Sequence, residues 1–161
     1  MKKFILLSIS LISLFVLSNK TYAYCDVNTF EQVLSQSLAG TYKGSLAEVY
    51  MNGSKDPVPN MSSDMQQNGD GTYTLIINPF KIGSMPGSIS VQASGINVDV
   101  SGSFSQVCSK AVTLRVGRLP LSYDAFVHGT VIAGKLIYTV EVNAEYSGAP
   151  FTARVKFDGD K

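Results

Sequence analysis

The chain has no tryptophan, one histidine and two cysteines, and only 16% of its 161 residues are charged. Each scarcity removes a class of function. A structural zinc site takes four His or Cys ligands at short spacings, and here His128, Cys25 and Cys108 are three such residues, scattered along the chain. No glycine-rich turn sits between a strand pattern and a helix pattern, so a nucleotide phosphate has no cradle and no cofactor is called for; Asn68-Gly69-Asp70-Gly71 is hairpin-turn chemistry. Charge of one sign is lacking too, with 13 basic against 12 acidic residues. There is no basic field to attract nucleic acid or acidic lipid. After Leu17 no apolar run approaches the roughly 20 residues of a membrane span, so no transmembrane segment is expected beyond the leader.

What is present begins with that leader. Lys2 and Lys3 precede an apolar run from Phe4 to Leu17 and a polar stretch ending Thr21-Tyr22-Ala23, the three regions of a secretory signal peptide. Cleavage is expected after Ala23, giving an exported protein, periplasmic or secreted. Lipid attachment at Cys25 is excluded because bulky Tyr24 stands where a small residue is required. Removing residues 1–23 from the 161 leaves 138, enough for one domain (24–161) with a single core. Lys2, Lys3 and Lys20 leave with the signal, so 10 basic residues face 12 acidic ones.

Export places Cys25 and Cys108 in an oxidising compartment, and a disulfide between them is the expected outcome. In the chain-entropy model a loop of this size stabilises a fold by about 4–5 kcal/mol and pins a fraying N-terminus. The competing readings are two buried free thiols or a reactive cysteine.

Between Asp26 and Gly40 the apolar residues Phe30, Val33, Leu34 and Leu38 follow a helical period, with Asn28 and Glu31 as a capping box and Gly40 as a stop. From Thr41 onward the pattern is strand. The clearest stretch is the last: Leu136, Tyr138, Val140, Val142, Ala144 and Tyr146 alternate with polar residues, and after Ser147-Gly148 the residues Phe151, Ala153, Val155 and Phe157 alternate with Thr152, Arg154, Lys156 and Asp158. Strands are predicted near residues 41–51, 58–66, 72–80, 87–93, 96–104, 111–116, 121–132, 135–146 and 150–157, separated by Gly, Asn, Asp, Ser and Pro turns. Eight or nine short strands joined by tight turns form a meander. A meander of that count closes into an up-and-down antiparallel β-barrel, here preceded by the short helix, and closure removes its edges.

Candidate chemistry is thin. His128 shares a strand face with Ser122 and Asp124, but Asp124 and His128 stand about 13 Å apart along a strand, beyond hydrogen-bond reach, so a surface or structural histidine is the reading. Asp56, Asp64 and Asp70 match no calcium loop and read as solvated turn acids. Asn52-Gly53-Ser54 and Asn60-Met61-Ser62 are short glycosylation-type patterns of low specificity. Met51, Met61, Met65 and Met85 all fall in the first half of the sheet, where they either fill a core or line a cavity.

Several stretches resemble one family. Gly40-Thr41-Tyr42-Lys43-Gly44-x-Leu46 leading to Asn52-Gly53, then Gly69-x-Gly71-Thr72-Tyr73-x-Leu75, then Asn78-x-Phe80 with Met85-Pro86-Gly87-Ser88-Ile89, and finally Gly134-Lys135-Leu136 and Val155-x-Phe157-x-Gly159, are similar to the calycin-like β-barrel family of secreted Bacteroides-type bacterial proteins. The resemblance implies a closed lipocalin-like barrel and an envelope or secreted location. It carries over no catalytic or binding residue. True lipocalins begin their first strand Gly-x-Trp, and Gly40-Thr41-Tyr42 stands there instead.

The leading functional expectation is a non-catalytic exported barrel that binds a small apolar or amphipathic molecule, with Tyr73, Leu75, Ile77, Tyr138, Val140, Val142, Phe151 and Val155 facing the lumen. This expectation fails if the interior is filled, with no cavity of roughly 300 Å³ or more; in a solid barrel the same residues are core. The alternative is an envelope protein-interaction module or protease inhibitor, marked by an exposed apolar patch or a protruding loop at Asn52 to Met61 or Lys81 to Pro86.

Overall fold

Alternating apolar and polar side chains become strands because extended backbone puts neighbours on opposite faces, and burying one face stabilises a sheet against a core. The structure, a computed structural model, describes residues 38–146 and 148–161. The leader, Cys25 and all but the end of the predicted helix lie outside the described residues. The strands are β1 (Gly40–Met51), β2 (Ser54–Lys55), β3 (Val58–Gln67), β4 (Tyr73–Phe80), β5 (Ser88–Ile96), β6 (Ser103–Val116), β7 (Leu119–Ile132), β8 (Lys135–Tyr146) and β9 (Ala149–Asp160). The two-residue β2 folds back on the end of β1, and the other eight run antiparallel in sequence order. β1 then pairs with β9, Val49 opposite Val155, and the barrel closes.

Two predicted strands are redrawn. The run from Ile96 to Phe104 is not one strand: residues 97–102 leave the sheet. The Asp99 carboxylate accepts the backbone N–H groups of Ser101 (2.8 Å) and Ser103 (2.9 Å), offering the chain a turn in place of a ladder, and Val100 ends fully exposed. The short strand predicted at Ala111 to Val116 is the far half of β6, joined through a bulge at which Lys110 takes φ +50°. Asp124 of β7 caps that bulge, accepting from Lys110 N at 2.7 Å and Ser109 Oγ at 3.2 Å.

The end of the barrel where β1 begins is packed solid. Tyr42, Leu46, Leu136, Tyr138 and Phe157 are all buried there. The Tyr138 ring contacts Phe157 and Phe104 at centroid distances of 5.4 and 6.5 Å, and its hydroxyl crosses the lumen to Ser63 Oγ of β3 at 2.7 Å. Burial holds this phenol far above the ordinary tyrosine range, so it stays neutral. Gly129, opposite Tyr138 in the β7–β8 ladder, lets the two strands approach closely: a Cβ there would collide with the Ile137 carbonyl and with Tyr138 Cα and Cβ. The β5–β6 ladder stops at Val91 and Val112, and the Gln106 side chain bridges the gap, accepting from Asn97 N (3.0 Å) and donating to the Gly95 carbonyl (2.7 Å).

The opposite end is built differently. The β3–β4 ladder covers Ser63–Gln67 with Tyr73–Ile77 and goes no further toward that end; the β7–β8 ladder likewise covers only Phe126–Ile132 with Lys135–Glu141. Among the described residues, no ladder pair joins 58–62 to 78–80, or 119–125 to 142–146. All six prolines, at 57, 59, 79, 86, 120 and 150, lie at this end, with Pro59 and Pro79 on one seam and Pro120 on the other. Proline lacks the N–H a ladder needs, so it settles where pairing ends. In the closed ring the seams fall on opposite sides and divide this end into two four-stranded arms, β4 to β7 and β8-β9-β1-β3.

The Tyr138–Ser63 bond generates a double-mutant prediction. Tyr138→Phe and Ser63→Ala each leave one buried hydroxyl without a partner and are each expected to cost about 1–3 kcal/mol. The double variant, measured by denaturant midpoint at unchanged m-value, is expected to be less destabilised than the two singles added together. Strict additivity would show that the two hydroxyls do not act as a pair.

Candidate functional site

An apolar pocket lies between the two arms, beside the β7–β8 seam. From the β4-to-β7 arm come Ile82, Ile89, Val112, Leu114 and Tyr123; from the β8-β9 side come Val140, Val142, Phe151, Ala153 and Val155. The pocket measures about 20 Å³. That is space for about one water, and a site so apolar stays dry. It falls far short of the roughly 300 Å³ of a site built around a drug-sized ligand.

The eight residues expected to face the lumen fall in two groups. Tyr73, Leu75, Ile77 and Tyr138 belong to the packed core; Val140, Val142, Phe151 and Val155 line the pocket. Sequence reasoning missed the pocket's other wall. Ile82 lies in the loop after β4, beyond any alternation, and is turned inward to 3% exposure, with Met85 N donating to the Ile82 carbonyl at 3.3 Å. Its signal was a lone large apolar residue between Lys81 and Gly83. Tyr123 reaches over the β7–β8 seam to Phe151, ring centroids 6.3 Å apart.

The methionines divide as well. Met65 is core, whereas Met51, Met61 and Met85 are half-buried at the pocket end. Unbranched thioether side chains adapt to a changing surface, which suits a rim. Loop 81–87 is anchored in the barrel by Ile82, while Lys81, Gly83, Ser84 and Pro86 are exposed. In the 52–61 stretch, Asn52 is tied back to β9, accepting from Thr152 N at 2.9 Å. Two open hollows lie on the outer wall of the β8–β9 hairpin, about 250 Å³ beside Tyr50, Glu141 and Arg154 and about 360 Å³ beside Asn143, Glu145 and Pro150.

The catalytic candidates do not converge. His128 points outward and packs its ring on Phe126 at 5.1 Å, while Asp124 is committed to the β6 bulge and Ser122 pairs with Thr113 at 3.2 Å. The His128 Nδ1 is buried without a hydrogen-bond partner among the described residues. Asp64 accepts from Thr41 Oγ1 at 2.6 Å, a cross-strand contact between β3 and β1, and Asp70 accepts from Thr72 N and Oγ1 within its own turn. Among the described residues no three His, Cys, Asp or Glu side chains come together as metal ligands. Cys108 is a buried thiol accepting from Gln106 Nε2 at 3.6 Å, and burial raises it above the ordinary thiol range, which suppresses reactivity.

A closed eight-stranded meander with a solid floor and an apolar mouth is the architecture against which family membership can be judged. The model of the calycin-like beta-barrel domain matches residues 38–160. The chain belongs to this family. No curated protein and no solved structure matches it. The calycin-like domain thus spans every described strand, from β1 to β9.

One acid in the calycin-like barrel has a pH consequence. Asp99 is held below the ordinary carboxylate range, first by the Ser101 hydroxyl and then by the Ser103 and Ser101 backbone N–H groups. A depressed folded-state pKa means the turn's contribution is complete above the unfolded value of about 3.9 and is lost as pH falls through the lower folded value. In an NMR titration the Ser101 and Ser103 amide signals are expected to move with a midpoint below 3.9, and Asp99→Asn to abolish that step; a midpoint at or above about 3.9 would contradict the capping role.

Proposed function

We propose that this protein is an exported, non-catalytic carrier that binds a small apolar or amphipathic molecule at the proline-rich end of its barrel. The observation that supports it is the pocket's lining: side chains from both arms converge on one site, and almost all of them are apolar. At about 20 Å³ the pocket as it stands is too small for such a molecule, so binding requires the arms or loop 81–87 to move outward and let the ligand replace side-chain contacts. The floor formed by Tyr138 and its neighbours limits how deep a ligand can enter, so part of it remains near the rim and in reach of solvent. That arrangement favours molecules with an apolar body and a polar end.

Titration with N-phenylnaphthylamine, whose fluorescence rises in apolar surroundings, is expected to give saturable one-to-one binding. Ala153→Leu, which adds more volume than the closed pocket holds, is expected to weaken it about tenfold while circular dichroism stays unchanged. Absence of saturable binding to the native protein would reject the carrier reading.

Export also bears on the thiols. In the mature protein we expect Cys25 to pair with Cys108, tying the N-terminus to β6. Non-reducing peptide mapping of the protein recovered from its own exporting cell is expected to join the two cysteine peptides; recovery of two free thiols would reject the pairing.

A further inference from the structure

We infer that the pocket opens as a two-jawed clamp, with β4 to β7 as one jaw and β8, β9, β1 and β3 as the other, and that it takes an elongated ligand lying across the barrel from seam to seam. This rests on the carrier reading and adds the motion and the ligand's shape.

The argument starts from which backbone bonds an opening would break. Within each jaw the ladders run to the rim: Tyr146 pairs with Ala149, Met51 with Ala153, Val116 with Leu119 and Ser88 with Arg115. Between the jaws they stop short, at Ser63 and Ile77 on one side and at Phe126 and Glu141 on the other. Parting the jaws therefore breaks no ladder pair, whereas opening the rim anywhere else does. An unmade hydrogen bond costs far more in a dry interior than the net worth of a made one, so motion follows the seams. The hinge is the solid end, where the Tyr138 hydroxyl links β8 of one jaw to β3 of the same jaw across the lumen, and Phe104 of the other packs on its ring.

The pocket lies between the jaws, and a ring contact spans the β7–β8 seam: Tyr123 from one jaw on Phe151 from the other. Rings can slide apart and re-form their contact on a ligand, which a ladder cannot do. Because the seams lie on opposite sides, the opened space is a slot across the barrel, blocked below and free at both ends. An unbranched chain fits a slot; a compact, near-spherical molecule of the same area would have to force the paired walls.

The test locks one seam. Ser122 and Glu145 face outward on the two sides of the β7–β8 seam, in the register that continues Phe126 opposite Glu141. In the double variant Ser122→Cys/Glu145→Cys the thiols are joined by oxidation or, where they stand too far apart, by a short bis-maleimide. N-phenylnaphthylamine binding is measured for the locked and the open forms, with the native protein carried through the same treatments. The inference expects the open form to bind as the native protein does and the locked form at least tenfold more weakly. Locked and open forms binding equally would overturn the clamp while leaving the carrier reading intact; loss of binding by the native protein would overturn the carrier reading itself. Shape is read by competition: palmitate is expected to displace the dye and adamantanol is not, and the reverse order would overturn the slot.

Discussion

The bond between the Tyr138 hydroxyl and Ser63 sets what the rest of this barrel can do. An eight-stranded barrel is just wide enough for its interior to be filled by side chains or to hold one small ligand, and a tyrosine lying across the lumen decides the matter for the end it occupies. The ring fills the space between facing walls; its hydroxyl finds a partner on the far side, so no polar atom is stranded in the dry interior. The close approach of β7 and β8 at Gly129 and the rings of Phe157 and Phe104 complete the layer. With that end solid, any ligand chemistry is confined to the other.

The other end shows the opposite strategy. Six prolines cluster where the chain would otherwise extend its ladders, and two ladders end early beside them. A strand edge without a partner invites pairing with another chain. Here each free edge faces another free edge across a narrow seam, with Pro59, Pro79 and Pro120 unable to donate at all and a Tyr123–Phe151 contact covering one gap. The edges are shielded without being joined, so the same device that discourages aggregation leaves a line along which the wall can part.

Much of this was legible in the sequence, and the failures have physical causes. The bounds of β8 are legible to the residue because its alternation is unbroken, β9 runs three residues past the expected Phe157, and the inward set from Leu136 to Val142 follows from period two alone. The stretch from Ile96 to Phe104 alternates like a strand but is not one, because the Asp99 carboxylate competes for the Ser101 and Ser103 N–H groups and turns the chain. The β6 bulge hid for the same kind of reason, since the group that stabilises Lys110 at positive φ is Asp124, on the next strand. The pocket's second wall depends on Ile82 folding back from a loop, which no periodicity encodes. The seams, by contrast, were there to be seen: the prolines alternate with strand patterns at every second turn, always at the same end of the meander.

A pocket of about 20 Å³ argues for a mobile site only if opening is cheap, and the energetics here favour that. Parting two apolar walls exposes area at roughly 25 cal/mol per Å², so exposing about 100 Å² costs about 2.5 kcal/mol, and a ligand that covers the same area offsets it fully. Backbone hydrogen bonds carry a different penalty, because a ligand with an apolar body cannot replace them. In a barrel laddered to the rim the second penalty would be added to the first at every strand that moved. Along the two seams it is absent, which leaves only the term that an apolar ligand is able to cancel.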